Sequence, residues 1–224
     1  EQRIKTWKLL PWDYETRSQK PIAPSASAVN GVKDEDLVGC PKFYEVVDEV
    51  IEWIGDSDLA GFNSILSISP YYTKPSQSGI YAHFAEIAKA SPLPVILYNV
   101  PGRTGRGMEP ATVLRLAQDF SNIVAIKEAS GNMDSIMAIL RDKPEDFMLI
   151  SGDDSLTVPM MSLGCCGVIS VAANVVPEPF CRMIGAAQRG DFKEASRIHF
   201  QLLELMDALF EDGSPSGAKA ALAF

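Results

Sequence analysis

The sequence predicts an α/β fold whose main part runs from residue 65 to residue 224. Short apolar runs recur along this stretch, and each is followed by a segment with helical spacing of its apolar residues. The runs are apolar on both sides, as in parallel strands buried under helices. Hydrophobic residues make up 46% of the 224 residues, enough for one large or two small domains.

The elements follow in order. Residues 1–64 differ in character from the rest. Pro11, Pro21 and Pro24 break the early part into loops. Phe43–Ile54 reads as an amphipathic helix with Phe43, Val46, Val47, Val50, Ile51 and Ile54 on its apolar stripe. Asp58–Phe62 reads as a strand that passes into Ile65 without a linker. Thereafter Ile65–Ser69 is a strand and Gly79–Lys89 a helix with Ile80, Phe84 and Ile87 on one face. Pro94–Tyr98 is the next strand, followed by a helix that Pro110 opens. Ile123–Lys127 is a strand, and Asn132 caps a helix over Met133–Arg141. Phe147–Ser151 and Gly167–Val171 are strands either side of a helix over Leu156–Leu163. Two helices, Glu178–Gln188 and Phe192–Phe210, close the sequence. Five strands in strand–helix repeats imply a parallel sheet with right-handed crossovers. A closed barrel of this style takes eight strands and about 250 residues, so only part of one fits here.

Several function classes are disfavoured. The net charge is −9 and there is no Lys/Arg run, so a nucleic-acid partner is not expected. No stretch has the length and apolarity of a membrane span, and the first residues lack a signal-peptide pattern. Cys40, Cys165, Cys166 and Cys181 fit neither a zinc site nor a disulfide framework, which points to free thiols in a reducing compartment. A cytoplasmic location is the resulting expectation.

Lys127 ends an apolar run, where a buried ammonium is costly unless paired or deprotonated. A lysine in such a place suits Schiff-base chemistry with a carbonyl substrate. The competing reading is a lysine that snorkels from a strand end to water. Tyr98 ends the preceding strand, one strand–helix unit earlier, so the two belong on adjacent strands. If their shared face looks into a barrel, phenol and amine converge at its carboxyl end, and the phenol can relay protons. Arg103 follows on a loop at that end and suits bidentate capture of a carboxylate, though a lone loop arginine more often pairs with a neighbouring acid. Gly152 and Gly167 sit at later strand ends, where glycine admits a ligand close to backbone or simply makes a turn.

The segments Ser69–Gln77, Tyr98–Gly105, Ile126–Asn132, Ser151–Asp154 and Gly167–Asn174 together resemble the dihydrodipicolinate synthase (4-hydroxy-tetrahydrodipicolinate synthase) family over about residues 64–224. That resemblance implies the later part of a (β/α)8 TIM barrel. It implies a class I aldolase-type lyase of lysine biosynthesis that condenses pyruvate with aspartate semialdehyde. A covalent pyruvate Schiff base on Lys127 replaces any cofactor, and no metal is implied. Tyr98 corresponds to the proton-relay tyrosine. Tyr72 corresponds to a second relay tyrosine that reaches a neighbouring subunit's site, so a homo-oligomer is implied. Arg103 corresponds to the arginine that receives the semialdehyde carboxylate. Ile169 and Gly152 correspond to the pyruvate pocket, and Tyr71 to an interface position near a lysine site. A sibling possibility is N-acetylneuraminate lyase or another pyruvate aldolase, against which Arg103 and the run from Lys127 to Gly131 argue.

The family's early strands and its Gly-Thr-Thr-Gly-Glu loop have no match before Tyr72, which implies impaired activity. Residues 1–64 resemble instead a fragment of DEDD-type 3′-5′ exonucleases, through Ile22–Asp36, the helix ending at Ile54 and Asp58–Ser64. Ile65-Leu66 follows Asn63-Ser64 where that family carries a Phe-Asp pair, and two-metal chemistry needs such carboxylates. The alternatives to the lyase are therefore an exonuclease fragment or an inactive fused chain. The expected domains are 1–64 and 65–224.

Overall fold

The computed structural model describes residues 64–223 and, ahead of them, two short strands, β1 (Trp12–Asp13) and β2 (Ser18–Gln19), which pair antiparallel. The expected helix over Phe43–Ile54, the strand Asp58–Phe62 and the exonuclease-like segments lie outside the described residues. The unit from Asn63 to Phe224 holds the parallel sheet.

That sheet has five strands in sequence order: β3 (Ile65–Ile68), β4 (Val95–Asn99), β5 (Ile123–Glu128), β6 (Met148–Ser151) and β7 (Gly167–Val168). All four pairings are parallel, and the α/β class is as the sequence predicts. Helices α1 (Gln77–Ala90), α2 (Pro101–Thr104), α3 (Pro110–Asp119), α4 (Met133–Asp142) and α5 (Thr157–Ser162) connect the strands. A 3-10 turn over Ala172–Asn174 leads to α6 (Pro177–Gln188), α7 (Phe192–Glu211) and α8 (Ser216–Ala221).

Local chemistry fixes the helix starts. Ser76 Oγ accepts the Gly79 N–H at the start of α1, Asn132 Oδ1 accepts Ser135 N–H at α4, and Asp191 Oδ1 accepts Glu194 N–H at α7. Prolines open α2, α3 and α6, where a missing N–H costs nothing.

The two faces of the sheet differ. Val95, Leu97, Ile126 and Leu149 are fully buried in one core with Ile80 and Phe84 of α1, Val113 and Leu116 of α3, and Ile136 and Ile139 of α4. Each such side chain contributes about 1.5–3 kcal/mol by leaving water. On the opposite face Ile96, Tyr98 and Lys127 are half-buried, and Leu66 and Met148 are exposed. The two-sided burial expected of all five strands therefore holds fully for one face only.

Three elements depart from the sequence reading. The last strand ends at Val168 rather than Val171, because the Asp154 carboxylate accepts the N–H groups of Val171 and Ala172 and turns the chain. Arg103 sits on the one-turn helix α2 instead of a loop, since Pro101 pre-sets helical backbone and Gly105 at φ +70° ends it. A third closing helix, α8, follows α7: its Gly217 lies so close to the Leu209 backbone that no Cβ fits between them.

Candidate active site

Tyr98 and Lys127 stand opposite each other in the β4–β5 ladder. The register shifts by one residue beside Val124: Val95 faces Ile123, but Ile96 faces Ala125. Without that shift Asn99, not Tyr98, would be the partner of Lys127, and the lysine would turn to the other face. As it stands, Lys127 Nζ lies 4.3 Å from the centre of the Tyr98 ring. The ion pairs among the described residues lie elsewhere, at Lys89–Glu86, Arg115–Asp119, Arg141–Asp142 and Arg197–Glu194.

Both residues line a cavity of about 490 Å³ at the carboxyl ends of β4, β5 and β6. Arg103 and Gly152 line it too. Gly152 is there for contact reasons: a Cβ at this position would meet Lys127 Cε at 2.9 Å and Ala129 Cβ at 2.8 Å. The missing side chain makes room for the lysine stem. Arg103 Nη2 donates to the Ser214 carbonyl at 3.4 Å, a long and weak bond that leaves the guanidinium donors mostly free of acceptors among the described residues.

The turn after β6 is held firmly. Ser151 Oγ donates to Asp153 O, and Thr157 Oγ1 donates to the same carbonyl. Asp153 Oδ1 accepts from the Ser155 N–H and hydroxyl. Asp154 is 4% exposed, with Oδ2 taking two backbone N–H groups and Oδ1 buried without a hydrogen-bond partner among the described residues.

Sequence reasoning missed one wall of the cavity. Met206, Asp207, Phe210 and Glu211 of α7 line it, followed by Ser214. Their spacing of three and four residues was visible as helix periodicity, but nothing local says that this helix returns to the ends of β4 and β5. Directly behind the Tyr98–Lys127 pair, Asn99 and Glu128 form a second facing pair on the buried side of the sheet. Asn99 Nδ2 donates to Glu128 Oε2 at 2.8 Å, and the Ser130 N–H donates to Oε1 at 2.7 Å. Burial pushes the Glu128 carboxyl above the usual range, against the pull of these bonds.

Two of the expected site residues lie apart from the cavity. Tyr72 is 91% exposed with φ at +64°, and Ile169 is 40% exposed. Ile169 donates its N–H to Ser151 O, and its neighbour Val171 lines the cavity. Tyr71 is also exposed. No group of three or more metal-ligating side chains exists among the described residues, and no described helix is long and apolar enough to cross a membrane.

The sequence model of the Dihydrodipicolinate synthetase family matches residues 38–224, so residues 38–63, placed by motif with the exonuclease-like fragment, fall inside the family match. The 4-hydroxy-tetrahydrodipicolinate synthase of Phocaeicola vulgatus is 52% identical over 173 residues, covering 77% of this chain and 58% of that protein. Its counterpart from Methanopyrus kandleri is 45% identical over 174 residues, covering 78% and 58%. The crystal structure of dihydrodipicolinate synthase from Aquifex aeolicus superposes with a TM-score of 0.72 at 42% identity, covering 79% of this chain and 60% of that one. The enzyme from Cyanidioschyzon merolae, solved with lysine bound, gives a TM-score of 0.71 at 47% identity over the same shares. The chain thus spans about 58% of the length of these curated relatives. By the extent of these matches, the chain belongs to the dihydrodipicolinate synthetase family.

Proposed function

We propose that this chain carries the chemistry of a 4-hydroxy-tetrahydrodipicolinate synthase, a class I aldolase-type lyase that joins pyruvate to aspartate semialdehyde. The observation that supports this most is the meeting of Lys127, Tyr98 and Arg103 around one cavity at the carboxyl ends of the strands. On this reading the five parallel strands are the later strands of an eight-stranded barrel.

The neutral Lys127 amine attacks the keto carbon of pyruvate, forming a C–N bond as the carbonyl oxygen takes up a proton. Tyr98 supplies that proton, recovers one from the nitrogen, and gives it to the hydroxyl, which leaves as water to form the imine. Loss of a methyl proton turns the imine into an enamine, whose carbon attacks the aldehyde of the second substrate. The amino group of that substrate then displaces Lys127, closing the ring and freeing the amine. Arg103 receives the carboxylate of the semialdehyde. No cofactor takes part, and the imine on Lys127 serves as the electron sink.

Tyr72 fits a role in a second copy of the chain. Its exposure, away from the Lys127 cavity, supports a homo-oligomer in which it completes a neighbouring site. Gly152 is assigned to the pyruvate pocket through its contact with the lysine stem, and Ile169, which stands outside the cavity, by family correspondence alone. A metal-dependent exonuclease reading gains no support among the described residues.

Borohydride reduction in the presence of pyruvate tests the proposal. The expected result is one reduced pyruvate adduct on the peptide that contains Lys127, lost in Lys127→Ala. An unmodified Lys127 peptide would refute it.

A further inference from the structure

We infer that Asn99 and Glu128 are positioning residues that set where Arg103 lies relative to Lys127, and so govern the grip on the second substrate's carboxylate. This rests on the function proposed above. The pair sits one residue beyond Tyr98 and Lys127 in the same two strands, pointing to the opposite face. Asn99 is 3% exposed and Glu128 is fully buried.

The hydrogen bonds of this pair reach both loops that frame the cavity. Asn99 Oδ1 accepts the Met108 N–H at 3.0 Å, which closes the segment Val100–Gly107 that carries Arg103. Its Nδ2 donates to Glu128 Oε2 at 2.8 Å, and its backbone oxygen accepts the Ala129 N–H at 2.9 Å. Glu128 Oε1 accepts the Ser130 N–H, and the Glu128 carbonyl accepts the Gly152 N–H at 2.8 Å. One buried side-chain pair therefore ties the Arg103 segment to the loop after Lys127. Thr104, 2% exposed, bonds Arg106 O within the same segment, and Gln77 holds its far end through Gly107 O.

The chain of donors and acceptors is directional. Met108 and Ser130 each offer an N–H, so the two side chains between them must supply two acceptors and one internal donor–acceptor match. Carboxylate plus amide does this. In Glu128→Gln the new amide sets donor against donor at Asn99. Flipping Asn99 only moves the conflict to the Met108 N–H. The double variant N99D/E128Q restores every match. Its amide at position 128 donates to the carboxylate at position 99, and that carboxylate accepts the Met108 N–H. The amide oxygen at position 128 accepts the Ser130 N–H. The variant also keeps one buried carboxylate.

The experiment compares the unsubstituted chain with Glu128→Gln and N99D/E128Q. For Glu128→Gln the expected result is a rise of about tenfold in KM for aspartate semialdehyde, the size of one lost buried hydrogen bond. Pyruvate trapping on Lys127 stays unchanged. Amide exchange over residues 100–108 quickens. In the double variant the KM and the exchange return to within about twofold of the starting chain. Equal losses toward both substrates, no change at all, or no recovery in the double variant would overturn the inference, as would failure of the double variant to fold. Should the starting chain trap no pyruvate, the functional proposal fails, while the exchange data still decide whether the pair orders the Arg103 segment.

Discussion

Tyr98 and Lys127 are partners across two parallel strands because the ladder slips by one residue at Val124. The slip turns Lys127 toward the cavity and leaves Glu128, the next residue, fully buried on the helix-covered side. The Lys127 nitrogen, 4.3 Å from the centre of the Tyr98 ring, packs against that ring whether or not the hydroxyl is present. Ring and hydroxyl therefore have separable tasks.

Tyr98→Phe is the substitution that separates them. The ring, its packing and the placement of Lys127 are retained, and only the proposed proton relay is lost. Imine formation, followed by single-turnover borohydride trapping with pyruvate, should slow by about a hundredfold. Thermal unfolding should be unchanged. Equal trapping rates in the two proteins would show that the hydroxyl carries no proton.

Gly152→Ala tests how closely the lysine stem is fitted. The added methyl would stand 2.9 Å from Lys127 Cε and 3.1 Å from its Cγ, with Ala129 Cβ at 2.8 Å on the other side. Ala129 is fixed by backbone bonding to Asn99, so the lysine is the part that yields. The expected cost is about 1–3 kcal/mol of stability, read by denaturant unfolding, together with at least a tenfold fall in trapping rate. Full trapping with normal stability would mean that the stem relaxes freely.

Much of this was legible in the residues themselves. Apolar runs located every strand of the parallel sheet, and only the end of β7 fell well short of its run. Lys127 stood out as a charge at the end of one of them. Asn132 and Pro110 marked helix starts because capping chemistry is local. The register slip was not legible, since pairing depends on a second strand about thirty residues away. The early end of β7 was hidden for the same reason: the agent is the Asp154 carboxylate on another loop. The wall formed by Met206 and Phe210 depends on how α7 docks, which a helical period does not encode. Nothing in the residues around Tyr72 says that it stands away from the cavity of its own chain; only the family resemblance suggested it.

His199 gives the chain an acid-sensitive core. It is 7% exposed on α7, its Nδ1 has no hydrogen-bond partner among the described residues, and burial holds its pKa below the ordinary 6.5. A group whose folded value is depressed stabilises fully above its unfolded value. That contribution is lost as pH falls through the folded value. Unfolding temperature should therefore drop on acidification from about pH 7 toward 5, and His199→Leu should flatten the drop. Glu128 acts with the opposite sign, because its raised pKa makes protonation favour the folded state at lower pH. An unchanged pH profile in His199→Leu would remove His199 as the source.

Gly217→Ala probes the contact that sets α8 against α7. A Cβ at this position would collide with Leu209 O and lie 2.8 Å from both the carbonyl carbon and Cα of Leu209. These are backbone atoms of a long helix, and Leu209 itself is buried, so neither partner has a flexible end to move. The helices must separate, at a cost of about 1–3 kcal/mol or more. Ser214, which lines the cavity and takes the Arg103 contact, lies in the short link between the two helices. Separation therefore reaches the site: unfolding temperature should fall by several degrees, by about 2–4 °C per kcal/mol for a chain of this size. On the function proposed above, KM for aspartate semialdehyde should rise with it, while pyruvate trapping on Lys127, held by β4, β5 and Gly152, is spared. A loss of trapping equal to the loss of semialdehyde binding would show instead that α7 and α8 support the lysine directly.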